Sequence, residues 1–228
     1  MISFLELRKN EKWVCIYLLL GIVIFFFFDY SISKFFYGIN SQTKSLFTTL
    51  THFGDSLYFF IPSILIWSGI KILKNKNKIV SSIGDISLFI FFSILLSGII
   101  SQIFKHIIGR PRPVLYNGSD IKALDILNFD SKWHSFPSGH TTTIFAFIFC
   151  LFFLFPKLKN FLIALAVIIA STRVIIGAHF ISDIFGGVLV AYLCTIFVRN
   201  KFSKNNKLFN FKENFYLSKD EVNQIFKN

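Results

Sequence analysis

Three histidines, four cations and a carboxylate fall into three short clusters between Lys105 and Asp183. The first reads Lys-His-Ile-Ile-Gly-Arg-Pro-Arg-Pro, from Lys105 to Pro113, and the second Phe-Pro-Ser-Gly-His, from Phe136 to His140. The third runs from Thr172 to Asp183 and carries Arg173, His179 and Asp183. Each borders a strongly apolar segment, where a bare charge is costly unless something uses it. Lys105, Arg112 and Arg173 offer fixed positive charge and N–H donors, suited to gripping phosphate oxygens while negative charge builds in a transition state. Pro111 and Pro113 stiffen the chain on either side of Arg112. Singly, such cations are just as well explained as outer-face anchors snorkelling to headgroups. Three of them beside two histidines favour an anion site.

Ser138 directly precedes an apolar run, so it is placed to cap a helix whose unpaired first-turn N–H groups suit a phosphate. Gly139 lets the backbone approach closely, and His140 can give a proton to a leaving oxygen. Pro-Ser-Gly is also an ordinary turn. His179 and Asp183 are four residues apart. On a helix they share a face, so the carboxylate can hold one imidazole nitrogen as a donor and leave the other as base or nucleophile. Metal binding by His140, His179 and Asp183 competes with that reading. The adjacent cations argue against it, because they repel a metal and attract an anion.

The elements that must position these clusters are apolar helices. Of 228 residues, 54% are hydrophobic, 16% charged and 32 are phenylalanine, which places the chain among membrane proteins rather than soluble domains. The net charge of +12 would suit nucleic acid in a soluble protein. Here the lysines fall between apolar runs, so they read as a membrane orientation signal and no nucleic-acid partner is expected. Cys15, Cys150 and Cys194 lie within apolar segments without Cys-x-x-Cys spacing and read as packing residues. The basic N-terminus and first apolar run lack a small-residue cleavage site, so the run is expected to remain as an anchor.

Apolar runs predict spans at about residues 13–28, 57–73, 83–104, 141–155, 161–176 and 181–198. Asp29 and Tyr30 are expected to mark the exit of the first span at the interface. The connector 31–56 is apolar at helical spacing but too polar to span, so it should rest in the headgroup layer, with His52 and Asp55 as candidates to border the site. Residues 105–136 form a polar loop with an Asn117-Gly118 turn signal. From Arg199 a basic tail follows, in which Ser218 to Glu221 resembles a capping box opening a short helix. Six spans put both termini on one side. That side would carry 16 of the 24 lysines and arginines and the other eight, so the termini are expected in the cytoplasm and the clusters on the outer face. The architecture expected is all-α: an integral membrane six-helix bundle with short interfacial helices, one domain over 1–228, its core at about 13–198 and a cytoplasmic tail at 199–228.

These residues also resemble a known family. Lys105, six residues, Arg112-Pro113; then Pro137-Ser138-Gly139-His140; then Arg173, five residues, His179, three residues, Asp183 look like the three-part motif of the type 2 phosphatidic acid phosphatase superfamily, which includes vanadium haloperoxidases. Order and spacing agree over about 79 residues, and Thr172, where the family usually has serine, keeps the hydroxyl. The resemblance implies a lipid phosphate phosphatase in which His179 attacks phosphorus and becomes a phosphohistidine, with Asp183 orienting it. It implies that His140 protonates the leaving group and that water then releases phosphate. Lys105, Arg112 and Arg173, with Ser138 and the Gly139 backbone, would hold the oxygens, with no metal or other cofactor. The substrates implied are polyprenyl diphosphate, phosphatidylglycerol phosphate, phosphatidate or the phosphates of lipid A. A bacterial inner membrane with the site facing the periplasm is the expected location. A non-enzymatic lipid-phosphate binder or transporter is the rival in another class; it needs outer-face cations but no imidazole oriented by Asp183.

Overall fold

A computed structural model describes residues 4–73, 78–115 and 124–205, and among these every regular element is a helix. Eight α-helices follow one another: α1 (Phe4–Phe27), α2 (Asp29–Tyr37), α3 (Ser41–Thr51), α4 (Leu57–Ile72), α5 (Lys78–Ile108), α6 (Gly139–Leu154), α7 (Lys159–Ile175) and α8 (Ile181–Asn205). Single 3-10 turns stand at His52–Gly54, Pro113–Leu115, Ser131–Trp133 and Pro156–Leu158. The six apolar runs all fall on helices. Three stretches, Ser41–Ile72, Val80–Leu115 and Ile181–Phe202, are long and apolar enough to cross a membrane. The pair α1 and α2, bent by 54°, makes a fourth when taken as one span.

The site is carried by a core centred on α6, which packs on α5, α7 and α8. Phe89, Ile94, Ile148, Cys150, Phe153, Ala166, Ala170 and Ala191 fill it. On α5 the polar positions Ser93, Ser97, Ser101 and Lys105 recur every four residues, and all are buried. That spacing lays them along one helix face, and small serines let backbones approach where no water competes for their hydroxyls. Ser101 Oγ donates to Thr142 Oγ1 across the α5–α6 seam at 3.0 Å. The same face delivers Lys105 to the start of α6. At 31 residues α5 is about 46 Å long, well beyond the roughly 30 Å hydrocarbon layer, so its ends can stand outside it.

Three features depart from the sequence reading. Asp29 is not an exposed exit marker but is 4% exposed, because it finds a guanidinium and a serine partner that a single sequence cannot reveal. Of the three cysteines, Cys150 and Cys194 are buried as packing residues, whereas Cys15 is exposed on α1. Helix α8 continues past the expected span end at residue 198, and Arg199 is buried with its guanidinium 4.8 Å from the Phe153 ring. The connector after α1 forms two helices, α2 and α3, in agreement with its helical spacing. The Asn117-Gly118 turn and the Ser218 capping box lie outside the described residues.

Candidate active site

Ser138 caps α6, as its position ahead of the apolar run predicts: its backbone is extended and its Oγ accepts from Thr141 N and, at 3.0 Å, from Thr141 Oγ1. Both bonds use the oxygen as acceptor, which keeps the Ser138 hydroxyl proton as a donor. The Gly139 backbone abuts the Lys105 ammonium, since a β-carbon on Gly139 would lie 3.9 Å from Lys105 Nζ. Lys105 is 7% exposed, and Nζ donates to the His134 carbonyl at 3.1 Å. One bond leaves an ammonium two further protons for a ligand.

The end of α7 holds the third cluster in a tight knot. Gly177, at φ +72°, takes the left-handed conformation that reverses the chain after the helix. The N–H groups of Ala178 and His179 then both return to the Arg173 carbonyl, at 3.0 and 3.1 Å. His179 is thereby fixed against the residue that carries the neighbouring cation. Arg173 NH1 donates to Thr51 Oγ1 at 3.0 Å, and its buried Nε has no hydrogen-bond partner among the described residues. A buried donor without an acceptor is costly, and a phosphate oxygen is an acceptor of the right kind.

His179 is 2% exposed, and its Nδ1 lies 2.7 Å from the Ser135 carbonyl and 3.5 Å from Asp183 Oδ2. A carbonyl can only accept, so Nδ1 carries the proton and Nε2 keeps its lone pair. The sequence places Asp183 as the group that orients the imidazole, and its carboxylate does stand at Nδ1. The closer partner is a backbone carbonyl, with the carboxylate just behind it. Burial pushes the His179 imidazole down to about 3, against the opposing pull of Asp183 and with the help of the Lys105 and Arg173 charges. The ring is therefore neutral near pH 7, as an attacking nitrogen must be.

Asp183 is fully buried and saturated with donors. The Phe180 N–H reaches Oδ2 at 2.8 Å, Ser135 Oγ donates to the same oxygen, and Arg110 NH1 donates to Oδ1. His140 is half-buried on the first turn of α6, where the charges of Arg173 and Lys105 act on it directly. The Thr51–Gly54 turn closes over it: a β-carbon on Gly54 would come within 3.2 Å of His140 Cβ. The connector thus reaches the site. Asp55 Oδ1 accepts from Leu57 N and caps the next helix. Arg112 is anchored by its backbone N–H to the Lys132 carbonyl and by Nε to the Ser131 carbonyl at 3.0 Å. Its two terminal nitrogens stay available, and it lies close enough to Arg173 and Lys105 for mutual repulsion. Three cations held together in this way favour an anion beside them, and the nearby Asp183 carboxylate offsets part of their charge.

Each of Lys105, Arg112, Ser138, Gly139, His140, Arg173, His179 and Asp183 is thus brought to one place. Sequence reasoning missed Thr51, Ser135, Ser182, Asp29 and the side chain of Arg110. Arg110 and Ser182 had a local signal, each lying inside a cluster beside a residue already singled out, Arg112 and Asp183.

Fold and site together give an integral membrane protein, helical throughout its described regular elements, in which three cations gather beside a buried, neutral imidazole. A family model, the PAP2 superfamily, matches residues 87–207, more than half of the chain. The chain belongs to the PAP2 superfamily. Lipid A 1-phosphatases of Rhizobium johnstonii and Rhizobium etli are 34% and 33% identical to it over 154 residues, 65% of this chain. That stretch covers 63% and 66% of their lengths, so the chain spans a little under two thirds of these curated relatives. Among solved structures, a transmembrane PAP2 type phosphatidylglycerolphosphate phosphatase from Bacillus subtilis superposes with a TM-score of 0.62 at 21% identity, over 87% of this chain and 98% of that one. Aquifex aeolicus LpxE superposes with a TM-score of 0.52 at 22% identity, over 75% of this chain and 94% of that one. These two likenesses concern the fold.

Proposed function

We propose that the protein hydrolyses a lipid-linked phosphate, monoester or diphosphate, through a phosphohistidine on His179 and without a metal. The observation that carries this reading is the His179 ring itself: neutral, its Nδ1 proton committed to the Ser135 carbonyl, and tied by its backbone to Arg173. In the first step Nε2 bonds to phosphorus as the bond to the leaving oxygen breaks, and His140 gives that oxygen a proton; burial and the Arg173 charge hold the His140 imidazole down to about 4, so it takes up that proton as the negative phosphate binds beside it. In the second, water attacks the phosphohistidine, His140 takes its proton, and phosphate leaves. Lys105, Arg112, Arg173, Ser138 and the Gly139 N–H carry the charge on the non-bridging oxygens.

The substrate's tails stay in the bilayer while its phosphate reaches the cations. The lipid A 1-phosphatase names of the two relatives put lipid A phosphates first among the candidates, ahead of phosphatidylglycerol phosphate, polyprenyl diphosphate and phosphatidate. We read six spans from the apolar runs, and cytoplasmic termini with an outer-face site from the 16-to-eight distribution of basic residues; with the family resemblance this suits a bacterial inner membrane and a periplasmic site. A reporter after Asn228 should then read cytoplasmic, and a cysteine at Gly118 should react with an impermeant thiol reagent. The test of function is phosphate release by the detergent-purified protein from these four lipids, with rapid-quench trapping of a phosphoenzyme. Lipid binding without phosphate release would favour a binder instead.

A further inference from the structure

Arg110 belongs to the same Arg-Pro-Arg-Pro run as Arg112 but faces the other way. Its guanidinium lies between two aromatic rings, 4.7 Å from the Phe25 centroid and 4.2 Å from that of Phe180. NH1 donates to Asp183 Oδ1 and, at 2.7 Å, to Ser182 Oγ; NH2 donates to Asp29 Oδ2 at 2.7 Å. Asp29 in turn accepts from the Ser182 N–H at 2.9 Å and from its hydroxyl. Both faces are stacked and three of the five N–H donors are engaged, so the guanidinium is committed to Asp29, Ser182 and Asp183.

Its backbone works on the same target. The Arg110 carbonyl accepts from Ser135 N at 3.0 Å, and Ser135 supplies both the carbonyl that holds His179 Nδ1 and the hydroxyl that donates to Asp183. Arg110 therefore touches, by side chain and by main chain, the two groups that fix the imidazole. Its charge matters as well. Two buried carboxylates and one guanidinium leave the cluster with one net negative charge, the counterweight required by the cation that forms on His179 as it bonds to phosphorus. Without the guanidinium two carboxylates would confront each other in a buried site, which is strongly unfavourable.

We infer that Arg110 is a positioning residue of the reaction: clamped by Asp29 and Ser182, it holds Asp183 and Ser135 in register behind His179 without touching substrate. The inference rests on the phosphatase reading above. It separates the two arginines of one motif, Arg112 toward the phosphate and Arg110 toward the nucleophile's support. It also gives Asp29, on α2, a part in catalysis at one remove.

The test uses the full-length protein in detergent, with kcat, KM and inhibition by inorganic phosphate measured on the lipid substrate. Arg110→Lys keeps the charge but not the fork, and should lower kcat by about tenfold to a hundredfold. Its KM and phosphate inhibition should stay within about threefold of wild type, because the phosphate cradle is intact. Arg110→Gln combined with Asp183→Asn should be no slower than Asp183→Asn alone, since the arginine acts through that carboxylate. Additive losses, a raised KM at unchanged kcat, or wild-type kcat in Arg110→Lys would each overturn the inference. Should the Arg110 variants not fold, Asp29→Asn keeps it testable. That variant should lose about tenfold in kcat at unchanged phosphate inhibition, and a wild-type kcat there overturns the clamp. A wild-type protein that releases no phosphate from any lipid refutes the underlying phosphatase reading instead, so the two failures are distinct.

Discussion

Replacing Asp183 by asparagine isolates the part of catalysis that is charge from the part that is proton placement. Where a carboxylate is the sole acceptor of an imidazole N–H, the amide costs about 10⁴ in rate because the ring adopts the wrong tautomer. Here the Ser135 carbonyl, 2.7 Å from Nδ1, holds the proton irrespective of residue 183. What Asp183→Asn removes is a negative charge 3.5 Å from Nδ1. At an effective dielectric constant of about 20, opposite unit charges roughly 4 Å apart attract by about 4 kcal/mol. Charge on the developing phosphohistidine is only partial, so kcat should fall by about 10² to 10³. The phosphoenzyme should still form, more slowly, and still be acid-labile. Rapid-quench trapping with a radiolabelled lipid phosphate, alongside phosphate inhibition as a check on the cradle, measures both. A loss below about tenfold would mean that the reaction does not feel the charge, and one of 10⁴ or more with no phosphoenzyme would mean that Ser135 does not fix the tautomer.

Other expectations follow from the same geometry. His179→Ala should abolish turnover and the phosphoenzyme together, and any phosphoenzyme remaining in it would refute the assignment of the nucleophile. His140→Ala should slow transfer most for a high-pKa alcohol leaving group and least for an activated phenol, and equal losses for both would exclude His140 as the acid. Because burial holds His179 near 3, its ring stays neutral as pH falls from 8 to 5, so its ¹⁵N resonances should not titrate over that range; a midpoint near the ordinary histidine value contradicts this. Activity should be indifferent to chelators, since the cations are side chains, and loss in chelator with recovery on adding a divalent ion would sink the mechanism. In Gly109→Ala a β-carbon at φ +53° would collide with the Asp125 carbonyl oxygen. A backbone atom cannot yield as a side-chain tip can, so a cost of at least about 1–3 kcal/mol is expected, seen as a lower melting temperature and lost activity together.

The residues expected to touch phosphate were legible because their types are costly beside apolar runs and their spacing is local. Ser138 could be placed as a cap, and Lys105 at a helix end, from periodicity alone. The supporting layer was not legible. Asp29 at the end of an apolar run is indistinguishable in sequence from a residue leaving the bilayer, and its partners Arg110 and Ser182 lie 81 and 153 positions away. Ser135 acts mainly through a main-chain carbonyl, a group every residue possesses. Thr51 was hidden in a connector whose amphipathic pattern suggested only headgroup contact, although its hydroxyl accepts from Arg173. Periodicity reports which face of a helix is apolar, and says nothing about which polar group a distant helix brings to it.

The tie from Asp29 to Arg110 and Ser182, with Tyr17 Oη donating to the Phe185 carbonyl at 3.0 Å, joins the first helices of the chain to the last. The first helix and its elbow are made early, but their partners on α8 are among the last residues of the bundle to leave the ribosome. Until α8 is in place Asp183 itself is missing, and until α1 and α2 dock against it Arg110 lacks one of its two carboxylates. On the phosphatase reading proposed above, a chain lacking either end of the bundle would have cations for a phosphate but no imidazole held behind them, and turnover would require both ends to have met.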